Sequence, residues 1–267
     1  MKWILLAFFW PIAAMAQAQP DLAKHFIDAG FPTGTMLVYD LHRDAYTSIN
    51  PQRIDEMVPP ASTYKIFNAM VGLETGVLAD ENTVIKWDGV KRTPEVWNHD
   101  QTLQSAIAIS CVPYFQEVAR RVGRERMQHW LDAAGYGNRT IGEKIDEFWL
   151  NGNLRISARE QVDLLVRLYR NQLPFSQRTM EIDRKILITE QTPLYTLHSK
   201  TGWAQRVSPQ VGWWVGWVER SDGNVYFFAM NISTDKPPAN FADVRIQLTK
   251  AVLRDLKILP AADATQK

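Results

Sequence analysis

The sequence predicts an α/β fold: a mixed, mainly antiparallel sheet flanked by helices, formed by both ends of the chain, with an all-helical lobe inserted. Three observations predict it. Strand-length stretches rich in β-branched and aromatic residues occur at 35–40 near the start and at 194–200, 211–219 and 225–232 near the end. Between them, from Val77 to about Phe175, the pattern is one of helices and loops. Phe241–Leu256 then closes the chain as an amphipathic helix. Strands on both sides of a helical middle imply one sheet completed by both termini. The sheet lobe is expected over about 19–76 and 181–260 and the helical lobe over about 77–180, in a single domain of residues 19–267.

Each element has a local cause. Leu22–Ala29 is apolar at helical spacing and stops at Gly30; Thr35–Asp40 alternates as a strand, with Tyr46–Ile49 its hairpin partner. Pro59 and Pro60 force an extended approach to Ser62, which stands where an N-cap would, ahead of a helix with Ile66, Phe67, Met70 and Leu73 apolar and Gly76 ending it. Helices follow at Pro113–Val122, at Arg124–Ala134 before Gly135, and at Ala158–Arg170. The last opens on a capping box, Ser157 with Glu160, and places Val162, Leu165, Val166 and Tyr169 on one face. A loop, Asn138–Arg155, carries Phe148 and Trp149, which read as exposed and in need of a hole to fill. Ser-Asp-Gly-Asn at 221–224 turns between the last two strands.

Composition narrows the function. Of 267 residues 46% are hydrophobic, enough for a large core, and 30 basic against 29 acidic residues leave a net charge of +1. That balance excludes nucleic acid and anionic membrane surfaces as partners. Met1–Ala18 has Lys2, an apolar run from Trp3 to Met15 and small residues at Ala14, Ala16 and Ala18. It reads as a secretory signal peptide cleaved after Ala16 or Ala18, too short to stay as a membrane span, and it directs the protein to the periplasm. Cys111 is the one cysteine, so no intrachain disulfide forms, and its expected role is that of a small buried hydrophobe. The five histidines lack metal-ligand spacing, and no metal is expected.

Three short motifs carry chemistry. Ser62 and Lys65 lie three apart on one helix face, where a buried and therefore neutral amine can take the proton of the hydroxyl. Taken alone, Ser-x-x-Lys describes a cap and a lysine stem running to water. Ser233 and Lys236 match it too, but Pro237 and Pro238 follow and forbid a helix. Lys200-Thr-Gly-Trp203 reads as the end of a strand, offering a cation, a hydroxyl at Thr201 and, at Gly202, room for a substrate to lie against the strand edge. Ser110-Cys-Val112, just before Pro113 starts a helix, can point a second hydroxyl into a cleft between lobes. Each has a purely structural explanation by itself; in this order and setting the three reinforce one another.

Ser-x-x-Lys, a second serine motif and Lys-Thr-Gly together resemble the serine β-lactamase and penicillin-binding protein superfamily. The forms Ser62-Thr-Tyr-Lys65, Ser110-Cys-Val112, Tyr136-Gly-Asn138 and Lys200-Thr-Gly202 resemble the class D β-lactamases, or oxacillinases. So do Trp97-Asn-His-Asp100, Phe148-Trp149-Leu150 with Ile156-Ser-Ala, and Gly212-Trp-Trp-Val-Gly-Trp217. Ser-Cys-Val in place of Ser-Asp-Asn separates the chain from class A.

The resemblance implies a hydrolase that opens penicillin-type rings and confers β-lactam resistance. Ser62 would form the acyl-enzyme, and Lys65, carboxylated by carbon dioxide to N6-carboxylysine, would be general base in both half-reactions. No other cofactor is implied. The backbone N–H groups of Ser62 and Trp203 would make the oxyanion hole. Ser110 would relay a proton to the leaving nitrogen, while Lys200, Thr201 and Arg245 would bind the substrate carboxylate, with Gly202 beside it. Trp149 would hold the carbamate, and Val112 and Leu150 would keep it dry. Arg245 is placed only by a Val-Arg pair on the last helix, where a surface arginine is the alternative. Rival functions are a D,D-peptidase or transpeptidase, in which water is badly placed, and a covalent antibiotic sensor. The protein is expected as a monomer or homodimer.

Overall fold

The computed structural model describes residues 21–261; the predicted signal segment lies outside them. In chain order the elements are α1 (Ala23–Asp28), β1 (Thr35–Asp40), β2 (Ala45–Ile49), α2 (Tyr64–Glu74), β3 (Val84–Ile85), β4 (Gln101–Thr102), α3 (Leu103–Ala108), α4 (Val112–Val122) and α5 (Arg124–Ala134). They continue with α6 (Ala158–Tyr169), α7 (Gln177–Ile186), β5 (Ile188–Gln191), β6 (Tyr195–Ala204), β7 (Gln210–Arg220), β8 (Val225–Thr234) and α8 (Phe241–Asp255). Among the described residues no helix is long and apolar enough to cross a membrane.

Six strands form one sheet in the order β2-β1-β8-β7-β6-β5, so both ends of the chain do complete it. Every neighbouring pair is antiparallel, in line with the mainly antiparallel sheet the sequence predicts. Alternation sorts the strand residues onto two cores. Met36, Val38, Trp214, Val218, Phe228 and Met230 pack with α1 and α8 on one face; Leu37, Trp213, Val215, Trp217 and Phe227 pack with the helical lobe on the other. β7 is buried on both faces, and residues 211–218 carry no exposed side chain.

α2 runs through the lobe core with ten of its eleven residues buried, touching α4 and α7. α6 lies across β1, β7 and β8, its predicted capping box formed by Ser157 and Glu160. Its buried stripe is rotated from the predicted one: Gln161, Leu164 and Leu168 face inward with Val162 and Leu165, whereas Val166 and Tyr169 are only partly covered. The loop aromatics Phe148 and Trp149 are fully buried against Tyr64, Trp149 stacked on it and Phe148 edge-on, so they fill their hole from within the core.

α7, unpredicted from the sequence, contains a fully buried carboxyl. Asp183 has no exposure, and neither carboxylate oxygen has a hydrogen-bond partner among the described residues. Burial drives its pKa well above the usual carboxylate range, against a smaller opposing pull from Arg184. The folded state therefore keeps the proton while the unfolded chain releases it above about pH 4, so this group lowers stability as pH rises through that window. Asp183→Val, similar in size and apolar, should raise stability by about 1–3 kcal/mol at pH 7. Thermal melts from pH 4 to 8 should show the gap over wild type widening with pH; a gap independent of pH would show that Asp183 is not buried as an acid.

Candidate active site

The site lies where β6 meets the helical lobe. β5 pairs with β6 only as far as His198, which leaves the edge from Lys200 to Ala204 to a 3-10 turn, Ala61–Thr63. Ser62 sits in that turn, before α2 begins at Tyr64. It is not the predicted N-cap: the first turn of α2 has no side-chain cap, and the hydroxyl instead meets Lys65. Gly202, expected to leave room for a substrate and found in the lining of the cavity beside Ser62, has a second reason to lack a side chain. A Cβ there would come 2.7 Å from the Pro60 carbonyl oxygen, so glycine is needed to seat the Ser62 turn against the strand. Lys200-Thr-Gly-Trp203 also lies inside a strand rather than at its end, because β7 pairs alongside as far as Ala204.

Lys65 has no exposed surface. Its Nζ lies 2.7 Å from Ser62 Oγ, 2.8 Å from the Ser110 carbonyl oxygen and 3.0 Å from Ser110 Oγ. Burial, and secondarily the charge of Lys200, holds its pKa well below the usual lysine range. A neutral amine has two N–H bonds and one lone pair, so with three partners the lone pair is directed at a hydroxyl proton. That is the geometry of a base poised on a serine.

Ser110 occupies the left-handed region, with φ of 56°, in the link between α3 and α4. Its Oγ lies between two amines, at 3.0 Å from Lys65 Nζ and 3.1 Å from Lys200 Nζ. Lys200 is buried, and desolvation followed by repulsion from Arg245 brings its pKa down to about 7. Arg245 is not a surface arginine: it is 7% exposed, its Nε donates to the Ala242 carbonyl at 2.9 Å, and its Nη1 donates to the Gly202 carbonyl. Burial lowers its pKa to about 10, which still leaves it charged near neutrality.

Ser62, Ser110 and Arg245 open on a cavity of about 620 Å³, walled also by Val112, Leu150, Thr201, Trp203 and Arg206, with Lys65 and Lys200 behind its wall. No described lining residue is acidic, so the cavity attracts anions. Trp97 forms part of the wall, its indole N–H 3.2 Å from the Ile109 carbonyl beside the Ser110 link. Trp149 packs behind, stacked on Tyr64 at 5.3 Å, and its buried Nε1 has no hydrogen-bond partner among the described residues. A buried indole N–H of this kind is a donor still open to a further acceptor. Cys111 is buried beside Ser110 and burial raises its thiol pKa, as suits an inert packing residue. Sequence reasoning missed Gln161, which donates to Thr63 Oγ1 at 2.7 Å behind the nucleophile turn. A polar residue one turn before Leu165, on the apolar face of α6, was the available signal.

The chain matches the family described as penicillin binding protein transpeptidase domain over residues 12–255. It is 42% identical over 227 residues to β-lactamase OXA-48 of Klebsiella pneumoniae, covering 85% of this chain and 84% of the relative. It is 43% identical over 238 residues to β-lactamase OXA-5 of Pseudomonas aeruginosa, covering 87% and 88%. Among solved structures, the class D β-lactamase YbXI from Nostoc superposes with a TM-score of 0.86 at 41% identity, over 90% of this chain and 99% of that one. FUS-1 (OXA-85), a class D β-lactamase from Fusobacterium nucleatum, superposes with a TM-score of 0.85 at 38% identity, over 89% and 98%. Both likenesses run nearly the full length of sheet, helical lobe and catalytic cleft, and the chain therefore belongs to the class D β-lactamases, serine hydrolases that work through an acyl-enzyme.

Proposed function

We propose that this chain hydrolyses penicillins in the periplasm through a Ser62 acyl-enzyme, with carboxylated Lys65 as general base, and so confers β-lactam resistance. The observation that carries the reading is the fully buried Lys65 amine, 2.7 Å from the Ser62 hydroxyl. Carbon dioxide added to that amine supplies a carbamate, a base strong enough to deprotonate first Ser62 and then water. Trp149 Nε1 is the donor available to hold it, and Val112 and Leu150 keep bulk water from the pocket. Ser62 attacks the lactam carbonyl, whose oxygen is received by the backbone N–H groups of Ser62 and Trp203. Ser110, bonded to Lys200, passes a proton to the departing nitrogen. Lys200, Thr201 and Arg245 take the substrate carboxylate, whose negative charge raises the Lys200 pKa and keeps it cationic in the complex. The signal-like segment Met1–Ala18 supports export.

Incubation with benzylpenicillin, followed by both ring opening and intact mass, tests this. Rapid ring opening with a short-lived adduct is expected; a long-lived adduct without turnover would mark a peptidase instead. Trp149→Phe keeps the packing and removes the donor. It should slow deacylation about 10- to 100-fold, the worth of a hydrogen bond to a charged group, and added bicarbonate should restore part of the loss. Turnover indifferent to both changes would exclude the carbamate.

A further inference from the structure

Ser62 is held by a turn that is strained and clamped from outside. Ala61, the residue before it, has φ of 48°, a left-handed conformation that a residue with a Cβ adopts only under constraint. Two clamps act on the approach: Ala61 N–H donates to the Trp149 carbonyl at 3.1 Å, and Trp213 Nε1 donates to the Pro59 carbonyl at 2.8 Å. The third acts on the residue after the nucleophile. Thr63 is buried, its hydroxyl donates to the Pro60 carbonyl at 2.9 Å, and it accepts from Gln161 Nε2 at 2.7 Å. On its other side Thr63 is pressed against Gly202, where a Cβ would lie 3.1 Å from Thr63 Cγ2.

Gln161 is costly where it stands. It is fully buried on α6 beside Val162, Leu164 and Leu165, and its Oε1 has no partner among the described residues. A helix face made only to pack would carry an apolar residue there. We infer that Gln161 is a positioning residue: through Thr63 it locks the strained Ala61–Thr63 turn so that Ser62 Oγ stays on the Lys65 amine. The inference rests on the Ser62 acyl-enzyme reading. Without the amide N–H, Thr63 keeps only its bond to the Pro60 carbonyl inside the turn itself and loses the one that ties the turn to α6, so the backbone at Ala61 can relax. Ser62 Oγ then drifts from a 2.7 Å contact on which proton transfer depends.

The test is the acylation rate constant under single-turnover mixing with benzylpenicillin, measured with melting temperature for Gln161→Met, Thr63→Val, Thr63→Ser and the double variant Gln161→Met/Thr63→Val. Gln161→Met and Thr63→Val should each slow acylation about 10- to 100-fold with the apparent Kd nearly unchanged. Thr63→Ser, which keeps the hydroxyl, should acylate nearly as wild type, and the double variant should be no slower than either single one. Gln161→Met should melt no lower than wild type, because it removes an unpartnered buried carbonyl. Wild-type acylation by Gln161→Met would overturn the inference, as would losses that follow melting temperature and add in the double variant. Should Gln161→Met fail to fold, the comparison of Thr63→Val with Thr63→Ser decides, since equal rates would overturn it. If wild type itself forms no Ser62 adduct, the acyl-enzyme reading fails, a result separate from any of these.

Discussion

Ser62→Ala should abolish the penicillin adduct and lower turnover about 10⁶-fold, the scale on which a nucleophile acting with its base as one unit contributes. The fold should survive, since the Ser62 side chain caps no helix and its hydroxyl faces the cavity and Lys65. The result discriminates because a second hydroxyl stands nearby. Ser110 Oγ lies 3.0 Å from the same amine, and in Ser62→Ala it is the remaining alcohol on Lys65. It also contacts Lys200 at 3.1 Å and stands at the head of a different helix, a placement suited to handing on a proton rather than to attacking a carbonyl seated over the Ser62 turn. Intact mass after long exposure to benzylpenicillin is the measurement. An undiminished adduct in Ser62→Ala, mapped by peptide analysis to Ser110, would move the nucleophile there.

Much of this arrangement is legible in the sequence, and the reasons differ from element to element. β1 and α5 appear with the predicted bounds, because alternation and a glycine stop are local signals that no tertiary contact overrides here. β6 runs four residues past its predicted end at Lys200, because β7 pairs alongside it as far as Ala204, a partner that no local spacing reveals. α7 escaped notice because Asp183 interrupts its apolar face, and that residue is intelligible only from the packing around it. Ser62, Lys65, Ser110 and Lys200 were found by motif, and the structure gathers all four within hydrogen-bonding reach through Lys65 and Ser110. The burial of Arg245 and the orphaned indole N–H of Trp149 are properties of the folded interior and leave no trace in residue order. The bond from Gln161 to Thr63 spans 98 residues and is likewise invisible to any spacing rule.

Lys65→Met separates the base from everything else the site does. Methionine fills the volume without placing an amine out of water, so folding is retained, while Ser62 loses the group 2.7 Å from its hydroxyl. Acylation should fall about 10²- to 10⁴-fold, the contribution of a positioned general base, and the adduct that does form should persist because water loses the same base. The pH profile identifies which lysine is responsible. Under the proposed mechanism, acid should protonate the base at Lys65, so kcat/KM should fall on the acid side in wild type. Base should discharge Lys200, whose pKa is near 7, and loosen its proposed hold on the substrate carboxylate, so KM should rise as pH climbs. Lys65→Met should lose the acid limb and keep the alkaline one. Retention of the acid limb in that variant would assign it to another group and remove Lys65 from the role of base, whatever the size of the rate loss.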